Sequence, residues 1–222
     1  MPVPTLPKTT AKTTAKTTRL LALISGGLLA ASPALAHHAM DGQIPATFVQ
    51  GLLSGLGHPV IGLDHLAALV GVGLVSSRFA RGLTLPAFWI AAMAAGIGLH
   101  LASASVPYGE VFVALSVVAI GLAATIRTTL PYSMMALLFA AGGAMHGYAL
   151  GESIVGAEST PLAAYLAGLV AIQLALTTGI TYAARRLSAG SFPAPSLRLR
   201  LAGLAVIATG AAALASSLPN LG

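Results

Sequence analysis

The chain has 222 residues, 56% hydrophobic and only 7% charged, whereas ordinary soluble domains are about a quarter charged. Cysteine is absent, which excludes disulfides and thiolate metal sites and leaves nitrogen and oxygen as the available metal ligands. The net charge of +6 does not amount to the basic stripe that nucleic acid requires, because Lys8, Lys12, Lys16 and Arg19 crowd the N-terminus and the remaining basic residues are arginines between apolar runs.

In chain order, the first segment reads as a secretory signal. A Lys/Thr-rich leader with the low-complexity repeat KTTAKTTAKTT ends at Arg19, an apolar stretch covers 20–31, and Ala34-Leu35-Ala36 supplies a small-x-small cleavage pattern. That apolar stretch is too short to span a bilayer core, which takes about 20 residues. The expectation is therefore a signal peptide over 1–36, cleaved after Ala36, rather than an uncleaved first helix. A mature chain over 37–222 would begin His37-His38-Ala39-Met40-Asp41.

Six apolar runs follow, at approximately 48–75, 83–104, 109–127, 132–150, 162–183 and 199–216, the third being short. Each reads as a transmembrane helix, and the frequent glycine and alanine inside them fit closely approaching membrane helices. The loops after the first, third and fifth runs hold Arg78 and Arg81, then Arg127, then Arg185, Arg186, Arg198 and Arg200. The mature N-terminus and the other loops hold Asp41, Glu110, Glu152 and Glu158, without Lys or Arg. Positive residues mark the cytoplasmic side. The expected fold is thus an all-α membrane protein: six transmembrane helices after a cleaved signal peptide, both termini outside, multi-pass in a bacterial-type inner (plasma) membrane.

Ionisable groups inside these runs are few. His58, Asp64 and His65 lie in the first, His100 in the second and His146 in the fourth, with Glu152 just beyond. Such groups are costly at bilayer depth and mark ion or proton paths when present. Imidazole suits nickel, copper, zinc and iron, and an aspartate beside a ligating histidine serves as ligand or as orienter of the ring. His58 and His65 are seven residues apart and share a helical face, whereas Asp64 points elsewhere if that helix is regular. Pro59 and Gly62 weaken it, and Pro59 leaves the carbonyl of Gly55 without its usual donor. Such a break exposes backbone oxygens of the kind transporters use at mid-membrane.

At a rise of about 1.5 Å per residue, His100 and His146 lie roughly 7 Å below the outer ends of their helices, His58 roughly 16 Å in and His65 roughly 27 Å in. That spread reads as an entrance and a deeper relay more than as one closed site. The free amine and imidazole of a mature His37, with His38 beside it, would make an external chelate for nickel or copper.

The string His58-Pro59-Val60-Ile61-Gly62-Leu63-Asp64-His65, followed by Leu66-Ala67-Ala68-Leu69-Val70-Gly71-Val72-Gly73, strongly resembles the first-span signature of the HupE/UreJ family of hydrogenase- and urease-associated membrane proteins. The His37-His38 start and Met145-His146-Gly147-Tyr148-Ala149-Leu150-Gly151-Glu152 are similar too, and the resemblance covers Ala39 to Gly222. It implies permeation of nickel, or in some branches cobalt, into the cytoplasm, with no prosthetic group and no enzymatic activity. Metalloenzyme maturation proteins are the implied partners. His58, Asp64 and His65 become metal contacts by that resemblance, and His146 and Glu152 match its span-four motif. Leu150 stands where many relatives carry a second histidine, which weakens nickel against cobalt. His100 enters from depth alone.

Two other readings stand beside the permease. Three histidines and an aspartate also make a catalytic zinc site, with Ser54 four residues before His58, although no nucleophile–base pair is evident from spacing. A metal-binding accessory protein without transport is the other. A permease needs polar groups continuing to the cytoplasmic side; a hydrolase needs one compact site.

Overall fold

A computed structural model describes residues 43–128, 130–188 and 195–218 of the chain. The expected signal peptide, 1–36, and His37, His38 and Asp41 lie outside the described residues. The helices among them are α1 (Phe48–Ile61), α2 (Leu63–Ser76), α3 (Leu85–Leu101), α4 (Gly109–Thr125), α5 (Tyr132–Gly151), α6 (Ser159–Leu187) and α7 (Leu197–Ser217). α1 opens with a capping box: the Thr47 hydroxyl accepts from the Gln50 amide, and Gln50 Oε1 accepts from the Thr47 amide, each at 3.2 Å.

The run expected as one span over 48–75 is two helices. Pro59 sits inside α1 and removes one ladder donor. Three residues later Gly62 adopts extended backbone, φ −72° and ψ 109°, and the chain resumes as α2 at 78° to α1. Among the described residues four stretches are individually long and apolar enough to cross a membrane: Gly82–Leu101, Tyr132–Ile154, Ser159–Leu187 and Leu197–Ser217. The bent α1–α2 pair passes the same test only when its two helices are taken together, as a broken span or a re-entrant loop. α4 has 17 residues, about 25 Å of helix against a core of about 30 Å.

Close helix pairing is set by glycine. Gly51 and Gly55 bring α1 onto the carbonyls of Pro161 and Tyr165 on α6, and Gly143 and Gly147 bring α5 onto those of Trp89 and Met93 on α3. A Cβ at any of these four would collide with backbone, so small residues do here what apolar burial does in water. α2 is the element the others surround. Ten of its 14 residues are buried, as expected of a helix apolar on nearly every face.

The arginine-bearing loops meet at one end of the bundle. Arg78 donates to the carbonyls of Ala123 (2.7 Å) and Arg127 (3.2 Å), and Arg185 donates to that of Phe79 (2.7 Å). Arg78 thereby satisfies carbonyls that the end of α4 leaves over, and burial draws its pKa below the usual guanidinium value. At the opposite end the Tyr148 hydroxyl donates to Ala104 O (2.9 Å) and accepts from the Val106 amide (3.2 Å). Glu110, Glu152 and Glu158 belong to that end, at the start of α4, the end of α5 and the start of α6.

Candidate metal site

The 78° bend places Asp64 and His65 in the first turn of α2, just past the break. Asp64 Oδ1 accepts from the His65 amide at 2.9 Å and faces His65 Nδ1 at 3.0 Å. A carboxylate only accepts, so Nδ1 carries the proton and Nε2 keeps its lone pair. That Nε2 is buried and has no hydrogen-bond partner.

The ring of His146, on α5, lies 4.8 Å centroid to centroid from that of His65, edge to face. Its Nε2 is 3.1 Å from Ser116 Oγ. The Ser116 hydroxyl already donates to Val113 O at 2.7 Å, so its oxygen accepts from His146 Nε2–H. His146 Nδ1 is then the lone-pair nitrogen, and it too is buried without a partner. Two imidazoles in contact therefore each hold one nitrogen as an unused acceptor, its tautomer fixed by a neighbouring oxygen. This is the arrangement by which supporting groups prepare histidines for a metal.

His58, on α1, completes the group, its ring 6.1 Å from His65 and 6.4 Å from Tyr165. Trp89 packs on His146 at 4.8 Å and donates its indole N–H to Gln173 Oε1 at 2.9 Å. Pro59, His65, Leu69, Trp89, His146, Leu150 and Gln173 line a cleft with no room for a water molecule. Among the described residues no three of the histidines and carboxylates converge closely enough to hold a metal ion as they stand.

The depths expected from the sequence are corrected here. They put His146 in the outer half and His65 far below, whereas the two rings touch. Counting a fixed rise per residue assumes an unbroken helix along the membrane normal, and the bend at Gly62 removes that assumption. Asp64, expected to point away in a regular helix, lies beside His65 for the same reason. His58, Asp64, His65 and His146 thus lie in one neighbourhood, with the His65 and His146 rings in contact.

His100 and Glu152 stand apart from it. The His100 ring packs on Tyr148 at 4.6 Å and its Cβ lies where a side chain on Gly151 would go, about 7 Å along α5 from His146. Glu152 is exposed in the turn after α5. Sequence reasoning missed Ser116, Trp89 and Gln173. Gln173 had a signal, since it is an amide in the middle of an apolar 29-residue helix; Ser116 had none, because only packing brings it to His146.

Apolar helices enclosing imidazoles and a carboxylate define a multi-pass membrane protein with a polar site inside the bundle. The chain belongs to the HupE/UreJ family: the model of the HupE / UreJ protein family matches residues 23–213. It is similar to Protein HupE of Rhizobium leguminosarum bv. viciae, 31% identical over 187 residues, which cover 83% of this chain and 92% of that protein. No solved structure matches it.

Proposed function

We infer that this protein is a secondary-type permease carrying a divalent transition-metal ion across the membrane, with His58, Asp64, His65 and His146 as its intramembrane contacts. The observation that carries this reading is the pair of buried imidazole nitrogens, His65 Nε2 and His146 Nδ1, each left unpartnered while its ring-mate is held by an oxygen. A buried acceptor without a donor costs roughly 1–3 kcal/mol, and a passing cation relieves that cost at both nitrogens.

Imidazole donors suit nickel, and nickel or cobalt is the cargo implied by the HupE/UreJ resemblance. The six-span topology, the cleaved signal and entry towards the cytoplasm complete the proposal, with His37 and His38, His100 and Glu152 as outer capture groups. Because the cleft has no room for a water molecule, the helices around it must shift for an ion to enter. The compactness of the group also favours a zinc hydrolase. Transport is preferred because buried polar side chains continue beyond the group along α6, at Gln173, Thr177 and Thr181, as a path needs and a single hydrolytic site does not.

The test is uptake of radiolabelled nickel and cobalt by cells that accumulate the protein normally. His58→Ala and Asp64→Ala are each expected to abolish it. Undiminished uptake in both would sink the site.

A further inference from the structure

The histidine group occupies only the half of the bundle towards the carboxylate-bearing end, so an ion that reaches it still has to leave. On α6, Gln173, Thr177 and Thr181 recur every four residues and so share one face, with Arg185 one step further. All three are essentially inaccessible, at 1%, 0% and 0% relative exposure. Gln173 lines the same cleft as His65 and His146. Its amide orientation is set, because Trp89 donates to Oε1 and Nε2 donates to Met93 Sδ at 2.7 Å.

The hydroxyls below it point their protons back into their own helix. Thr177 donates to Gln173 O (2.6 Å) and Thr181 to Thr177 O (2.7 Å). Their oxygens thus retain lone pairs, and the Thr181 hydroxyl also donates across to Gly73 O on α2 at 3.2 Å. Gly73 permits this approach, since a Cβ there would press on Ile180 and on Thr177 O. One turn further along α2, Ser76 Oγ is fully buried and has no hydrogen-bond partner. A polar atom left unsatisfied in an apolar bundle is the observation that ordinary helix packing does not account for.

We propose that Gln173, Thr177, Thr181 and Ser76 form the second half of the ion's path, a column of neutral oxygens leading a divalent transition-metal cation from the histidine group to the arginine-bearing end. From Gln173 to Thr181 it runs about 12 Å. Neutral oxygens suit that role: conduction requires sites favourable enough to enter and weak enough to leave, and a carboxylate here would trap the ion. Leu69, buried and lining the cleft beside Gln173, is the apolar side chain that closes the junction between the two halves.

The proposal rests on the permease reading, and its test separates the two. Thr→Val keeps shape and removes the hydroxyl, whereas Thr→Ser keeps the hydroxyl and removes a methyl. The Thr177→Val/Thr181→Val double variant should bind nickel and cobalt, titrated into purified detergent-solubilised protein, within about twofold of the unaltered chain, while its radiolabelled uptake falls about tenfold or more. Thr177→Ser/Thr181→Ser should keep uptake within about twofold. Retained uptake in the Val pair, loss of binding with it, or a larger loss in the Ser pair than in the Val pair would each overturn the column. If Asp64→Ala leaves both binding and uptake intact, the permease site itself has failed, whatever the threonines do.

Discussion

At the scale of single residues, Ser116 does for His146 what Asp64 does for His65. Each uses an oxygen to pin one ring nitrogen as a donor and so presents the other as an acceptor. The two supports differ in charge. Asp64 adds a negative charge that favours a nearby cation, and Ser116 supplies only orientation. Supporting partners of this kind typically change metal affinity about 10- to 100-fold. Ser116→Ala is therefore expected to weaken nickel or cobalt binding about tenfold, measured by titration of purified protein, with helix content unchanged because the lost hydroxyl otherwise bonds only within its own helix. An unaltered affinity would mean that His146 does not ligate through Nδ1. Of these residues, His58, Asp64, His65 and His146 were legible in the sequence because ionisable groups are conspicuous in apolar runs. Ser116 was not, since a serine that bonds its own helix looks the same whether or not a histidine from another helix reaches it.

At the scale of elements, the break between α1 and α2 decides the site. The Gly62 backbone is open to any residue at φ −72° and ψ 109°; what distinguishes the position is space. A methyl there would lie 3.3 Å from Asp64 Oδ1 and 3.5 Å from His65 Nδ1. Alanine also favours unbroken helix over glycine by about 1 kcal/mol. Gly62→Ala should therefore lower metal uptake severalfold while the protein still accumulates and melts within a few degrees of the unaltered chain, as read by circular dichroism in detergent. Full uptake would show that the Asp64–His65 geometry tolerates a straighter path. The sequence pointed to a weakened helix through Pro59 and Gly62, yet it could not say that the chain turns by 78° there. A proline removes one hydrogen bond and a glycine lowers propensity, but neither sets an angle, and the two halves pack on different parts of α6. Gly51 and Gly55 meet Pro161 and Tyr165, whereas Gly73 meets Thr177 and Ile180.

At the scale of the whole molecule, the loops carrying Arg78, Arg127 and Arg185 come together at one end and Glu110, Glu152 and Glu158 belong to the other. With positive residues on the cytoplasmic side, the C-terminus is expected outside: a periplasmically active phosphatase fused after Gly222 should be active, and a reporter active only in the cytoplasm should be silent. The reverse result would invert the path. By itself the sequence determined that the chain is helical, apolar and multi-pass, which ends carry which charge, and which few groups bear chemistry. Those properties follow from composition and local periodicity, which each segment displays alone. Only the tertiary structure decided that His65 and His146 touch, that Ser116 and Asp64 fix their tautomers, and that α6 lays an amide and two hydroxyls along α2. Contacts between helices depend on the bend at Gly62 and on which glycine faces which carbonyl, and no single segment contains that information.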